Sequence, residues 1–158
     1  MFLTTRGHYS TRAMLHLAQY GKRGPIPVAD IAAREDISQK YLQQLLGTLK
    51  RAGLARVVLG PHGGFELARP PEEITIGAIL RAAEGDISLM ECLVHDGLCP
   101  RAKDCPSRRV WSAASKKLNE FLDSQTLASA LHDAQLQPAA GPVKPAALKK
   151  SRARRACP

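Results

Sequence analysis

"DISQKYLQQLLGTLKRAGLARVVLGPHGGFELAR", Asp36 to Arg69, carries two different periodicities back to back. In its first half Leu42, Leu45, Leu46 and Leu49 recur at three- and four-residue steps, which predicts a helix with one apolar face. Ser38 suits the N-cap, because its hydroxyl can accept from a free amide of the first turn, and Gly53 suits the C-terminal end. Gly47 is a mild defect in that helix, costing about 1 kcal/mol against Ala. In the second half apolar residues alternate in two short runs, Ala55–Leu59 and Phe65–Ala68, around the turn "GPHGG". This predicts a β-hairpin whose glycines supply the unusual dihedrals.

Upstream, "GPIPVADIAARED" predicts a short helix started by Pro27, with Val28, Ile31 and Ala32 on one face. Before it, Tyr9, Ala13, Met14, Leu17 and Ala18 mark a first helix from Thr4 to Tyr20, stopped by Gly21. Two short amphipathic helices joined by a tight turn make a helix-turn-helix when the second exposes groups that read DNA. Here Gln39, Lys40, Gln43 and Gln44 do so: Gln can read an adenine edge, and Lys can reach guanine or phosphate. An ordinary helical hairpin with a solvated polar face fits the same helices, but the β-hairpin directly after them favours a wing. Its tip, rich in backbone N–H groups and carrying His62 and Gly63, suits a phosphate or a minor groove. Lys50, Arg51 and Arg56 lie nearby in sequence.

Charge agrees with a phosphate-bearing partner. The chain of 158 residues has a net charge of +9, divided unevenly. Residues 1–70 hold ten Lys/Arg against four Asp/Glu, residues 71–133 seven against ten, and residues 134–158 six against none. A basic first segment points to nucleic acid. The last segment, Pro- and Ala-rich without apolar periodicity, reads as a disordered basic tail, either solubilising or adding non-specific affinity for DNA. No apolar run approaches the ~18–20 residues of a membrane span, and "MFLTTRGHYSTR" is unlike a secretory signal. A cytoplasmic protein is expected.

In the second half, Thr75 is a plausible cap for a connecting helix bearing Ile76, Ile79, Leu80 and Ala83. Pro106 and Ser107 open a longer helix on which Val110, Trp111, Ala114, Leu118, Phe121 and Leu122 form a stripe of about five turns. Such a stripe beside a small domain predicts a dimer-forming helix, although packing back on its own chain is the alternative. Between the two helices lie Cys92, Cys99 and Cys105. In a reducing compartment clustered thiols lean toward metal binding or catalysis over disulfides. Their spacing matches neither a zinc ribbon nor a ferredoxin run. Three thiolates on a turning loop can still hold an iron–sulfur cluster, with a fourth ligand from His95, Asp96, Cys157, solvent, or a residue such as His8 elsewhere in a dimer.

"LTTRGHYSTRAMLHLA", "GPIPVADIAAREDISQKYLQQLLGTLKRAGL", "GPHGGF" and the three-cysteine loop together resemble the IscR-type winged-helix transcription regulators, relatives of NsrR and RirA, from about Met1 to Leu131. The resemblance implies a homodimer on double-stranded promoter DNA. It also implies a cluster, 2Fe–2S or 4Fe–4S, on Cys92, Cys99 and Cys105, whose state alters DNA affinity. The chain departs from the IscR pattern at three positions. Arg108 stands where that pattern has a histidine ligand, Gln43 where it has a base-reading Glu, and Leu59 where it has a wing Arg. Arginine cannot ligate, and in NsrR-like relatives the ligand comes from the partner's first helix, where His8 occupies the matching position. DNA contacts are expected at Ser38, Lys40, Tyr41, Gln43 and Gln44 above all.

The expected fold is therefore mainly α: a winged helix-turn-helix over 1–70, a connecting helix, cysteine loop and dimerisation helix over 71–133, and a tail over 134–158. No Ser/His/Asp, metal-hydrolase or nucleotide-binding constellation points to an enzyme or to a small-molecule substrate. A clusterless regulator whose thiols form disulfides is the main rival. A small electron carrier is a second, but it would have no use for a wing.

Overall fold

The computed structural model describes residues 4–95, 98–102 and 104–136. Helix α1, Thr5–Tyr20, opens at Thr4, whose side chain accepts from the Arg6 amide at 3.1 Å. A second acceptor comes from far along the chain: the Glu84 carboxylate takes the Gly7 amide at 2.8 Å and the Thr4 amide at 3.2 Å. An anion thus sits on the orphan amides of the helix N-terminus, where the macrodipole favours it. A Cβ on Gly7 would lie 2.6 Å from that carboxylate, so glycine lets the two elements approach.

Helix α2, Val28–Glu35, begins after Pro27 and ends at Asp36, which is left-handed at φ 54°. The Asp36 and Ile37 amides both return to the Ala32 carbonyl, closing the turn of the helix-turn-helix. Helix α3, Gln39–Arg51, follows from Ser38, whose hydroxyl accepts from the Tyr41 amide. Leu42, Leu45, Leu46 and Leu49 are all buried, as their spacing predicts. Gly53, at φ 68°, turns the chain out of α3.

The wing pairs β1, Ala55–Val58, with β2, Gly64–Leu67, antiparallel, in the register Arg56↔Glu66 and Val57↔Phe65. Each expected run is displaced by a residue at one end or both. Leu59 falls outside the ladder and is 89% exposed, while Gly64 joins it. Of the turn glycines only Gly60, at φ 127°, needs glycine's dihedral freedom. Gly63 and Gly64 are required by space instead: a Cβ would lie 2.3 Å from the Val58 carbonyl oxygen at one and 2.3 Å from that of Ile26 at the other. Ile26 exchanges two backbone bonds of 2.9 Å with Phe65, so the segment before α2 is laid along the wing.

Helix α4, Ile76–Glu84, is capped by Thr75, and the long helix α5 spans Pro106–Ser124. A further helix, α6, Leu127–Leu136, was not separable in the sequence. Thr126 and Ser129 cap its start reciprocally, and backbone bonds from Ile76 to Gln125 (2.7 Å) and from Leu127 to Ile74 (2.9 Å) bring it back beside α4. Leu127 is thereby fully buried in one core with Met14, Leu17, Leu42, Leu46, Leu49, Ile74 and Ile79. Each such side chain contributes roughly 1.5–3 kcal/mol on burial. Among the described residues no helix is long and apolar enough to cross a membrane.

Candidate nucleic-acid interface and cysteine loop

Ser38 at the cap of α3 and Gln39 in its first turn are exposed, and the face away from the buried leucines presents Lys40, Gln43 and Gln44, also exposed. Tyr41 differs: it is half-buried, its ring meeting that of Tyr9 edge-on at 6.2 Å. It locks α3 against α1 as well as bordering the exposed face. Lys50 and Arg51 are exposed at the end of α3, Arg51 donating to the Thr48 hydroxyl at 3.0 Å. On the wing, Arg56 donates to its cross-strand partner Glu66 at 2.7 Å. Because Arg56 stays 65% exposed, that pair is worth at most about 1 kcal/mol and leaves it able to turn to a phosphate. His62 is exposed at the tip, whereas Gly63 is half-buried and shapes the turn.

A brace behind this surface went unnoticed in the sequence. Glu35, at the end of α2, accepts from Arg12 Nε at 2.8 Å and stands 2.9 Å from Nδ1 of the buried His16, both on α1. Arg12 also donates to the Glu35 carbonyl at 2.7 Å. The i, i+4 spacing of Arg12 and His16 was the available signal. The brace fixes the first helix-turn-helix element on α1 and so aims α3.

Cys92 lies in a 3₁₀ turn, Glu91–Leu93, and Cys105 occupies the N-cap position of α5, with Pro106 as the first helical residue. Cys92, Cys99 and Cys105 are free and half-buried. The Cys105 sulfur is 3.1 Å from the Ser107 hydroxyl. That contact, and after it the Arg108 backbone amide at the helix N-terminus, pulls the thiol below its ordinary range by stabilising the thiolate. Leu93, Arg108, Arg109 and Lys116 line a pocket of about 570 Å³ beside it. In donor chemistry three accessible thiols fit an iron–sulfur cluster. Their placement is open: among the described residues no three His, Cys, Asp or Glu stand close enough together to hold a metal ion. His8 is exposed on α1, its ring 5.7 Å from that of Tyr9, and His95 is exposed in the loop. Asp96 and Cys157 lie outside the described residues.

Beyond the loop, α5 docks on α4 through polar groups. Arg81 of α4 donates to Asn119 at 3.1 Å and pairs with Asp123. Of the expected stripe, Ala114, Leu118 and Leu122 are half-buried, while Val110 (63%), Trp111 (43%) and Phe121 (60%) stay exposed. Among the described residues these three leave an apolar face of α5 open.

The family model described as "Rrf2: Iron-dependent Transcriptional regulator" matches residues 3–133. The protein rrf2 of Nitratidesulfovibrio vulgaris is 40% identical over 138 residues, which cover 87% of this chain and 92% of that one. Among solved structures, the IscR of T. potens superposes with a TM-score of 0.72 at 37% identity, covering 89% of this chain and 94% of the other. CymR of B. subtilis, titled the global cysteine regulator of that organism, superposes with a TM-score of 0.71 at 33% identity, covering 84% and 98%. The two solved structures share this fold, and relatives from Aliivibrio salmonicida and Erwinia tasmaniensis, 36% and 34% identical, are named HTH-type transcriptional regulator IscR. Nearly every described residue falls within the matched span, and the chain belongs to the Rrf2 family of transcriptional regulators.

Proposed function

We propose that the protein is a homodimeric regulator of promoter DNA whose affinity for its operator is set by an iron–sulfur cluster on Cys92, Cys99 and Cys105. The observation that carries this reading is the position of three free thiols on an irregular loop whose exit is the first turn of α5. In the bound state a cluster, 2Fe–2S or 4Fe–4S, would supply a centre sensitive to iron supply, oxidation and nitric oxide.

The chain's own residues do the rest. Residues 1–70 read DNA: Lys40, Gln43 and Gln44 enter the major groove, while Lys50, Arg51, Arg56 and the His62 tip meet phosphate or the minor groove. Residues 71–133 sense and dimerise, with Val110, Trp111 and Phe121 of α5 meeting the same face of a second copy. Burial of an exposed aromatic stripe against its copy is the natural outcome for a two-fold dimer. The dimer places two α3 helices for half-sites about one helical turn apart. His8, exposed on α1, is the fourth-ligand candidate and would come from the partner, since Arg108 has no lone pair to give.

Anaerobic reconstitution tests the reading. A visible charge-transfer band lost in Cys92→Ala, Cys99→Ala and Cys105→Ala, with an operator Kd that differs between loaded and clusterless protein, supports it. Absence of the band, or equal affinity, refutes it. A second reading, a clusterless thiol sensor, draws on the thiolate-favouring surroundings of Cys105 and on the likeness to CymR. Iron content after anaerobic purification separates the two.

A further inference from the structure

A cavity of about 620 Å³ opens between α1 and α2, with no residue of the cysteine loop in its wall. Its size falls within the roughly 300–1,000 Å³ of small-molecule sites. His16 and Tyr20 line it from α1, and Asp30 and Arg34 from α2. The link between the helices closes a third side, with Arg23 at the end of the 3₁₀ turn Gly21–Arg23. Pro25 and Pro27 restrict that link, and Ile26 between them exchanges its backbone bonds with Phe65 of the wing. The third side is therefore stiff before any ligand arrives, which lowers the entropy cost of binding.

His16 is the buried member of the site, its side chain only 4% exposed. Its Nδ1 stands 2.9 Å from the Glu35 carboxylate. A carboxylate can only accept, so Nδ1 carries the hydrogen, and in the neutral ring Nε2 keeps a lone pair. Among the described residues none donates to that nitrogen. Asp30 is a second acceptor. Arg34 lies four residues further along α2, the spacing of a helical ion pair. Its guanidinium is turned to Tyr20 instead, lying 4.1 Å over the ring and donating to the hydroxyl at 2.5 Å. Tyr20 keeps its own O–H to donate. Among the described residues Asp30 and Arg23, both exposed, enter no ion pair.

The cavity thus gathers two opposite kinds of group. Arg23, Arg34 and the Tyr20 hydroxyl donate, while Asp30 and His16 Nε2 accept. A phosphate or a plain carboxylate satisfies the first kind and meets repulsion from the second. A metal cation or a simple amine does the reverse. A molecule that carries a carboxylate and an ammonium on neighbouring atoms satisfies both.

We propose that this cavity binds a small zwitterion of the amino-acid class, its carboxylate on Arg23, Arg34 and the Tyr20 hydroxyl, its ammonium on Asp30 and His16 Nε2. The site is independent of the cluster reading above and needs no rearrangement of the cysteine loop.

The test titrates the full-length protein with L-alanine, L-leucine and L-glutamate and follows the His16 ring nitrogens by long-range 1H–15N NMR. Acetate and ethylamine, each half of the zwitterion, are titrated beside them. The expected result is a saturable shift of Nε2 with at least one amino acid, at a Kd on the order of 1 mM, and none with either half. Arg23→Ala and Asp30→Asn, which replace exposed side chains, each weaken that binding by about tenfold or more, the scale of one charge-assisted hydrogen bond. Lys22→Ala removes the same charge one residue away and keeps the wild-type Kd. No saturable shift with any of the three amino acids overturns the proposal. So does acetate or ethylamine binding as tightly as the zwitterion, or an unchanged Kd in Arg23→Ala and Asp30→Asn.

Discussion

Replacing Gly64 by Ala is a sharp test of how the wing is held. An ideal Cβ there would lie 2.3 Å from the Ile26 carbonyl oxygen, 2.4 Å from its carbon and 2.7 Å from the Pro27 nitrogen. All three are backbone atoms with no rotamer to move. An ordinary contact needs roughly 1 Å more, which displaces the Ile26 segment from Phe65 and breaks the two bonds of 2.9 Å between them. At about 0.5–1.5 kcal/mol each, their loss costs about 1–3 kcal/mol. Alanine regains about 0.4–1 kcal/mol by restricting the unfolded chain, which leaves a net destabilisation of roughly 1–2 kcal/mol. Urea unfolding is the assay, read as a lower midpoint at unchanged slope. Gly47→Ala is the internal control. The same methyl group there meets only Arg51 Nη1, at 3.9 Å, in a helix interior, and should stabilise by about 0.5–1 kcal/mol. Opposite signs support the packing argument; a Gly64→Ala protein at least as stable as wild type refutes it.

Three further outcomes follow from the surfaces described. Lys40→Ala should weaken operator binding by about 1–3 kcal/mol without moving the unfolding midpoint, and equal affinity would count against α3 as the recognition helix. Phe121→Asp, on the exposed face of α5, should shift the protein to monomer in sedimentation equilibrium, and a dimer of wild-type stability would show that this face is not the interface. In clusterless protein, the Ser107 contact stabilises the Cys105 thiolate, so alkylation should persist to lower pH than for an ordinary thiol. Ser107→Ala should move that alkylation midpoint upward, and an unmoved midpoint would remove Ser107 as the cause.

Much of the winged-helix half was legible because its signals are local. Helix periodicity, a hydroxyl three residues ahead of the amide it caps at Ser38 and Thr75, and the alternation of the hairpin all act within a few residues. The exposed face of α3 follows from its buried leucines by geometry alone. The cysteine loop was legible as a cluster of thiols, but spacing does not say where sulfurs point, and they stand ungathered among the described residues.

What the sequence determined by itself, then, was the type and order of α1 to α5 and the wing, and the inward side of α1 to α4, since these depend on neighbours one to four residues away. The tertiary structure alone decided that Glu84 caps α1 from 77 residues beyond Gly7, that Ile26 lies along Phe65, and that Leu127 completes the core from a helix the pattern did not separate. It also decided that Gly63 and Gly64 serve space while Gly60 serves dihedral freedom. Contacts of that kind leave no periodic trace. A carboxylate, a glycine or a single leucine reads the same along the chain whether its partner is water or a backbone amide from the far end of the fold.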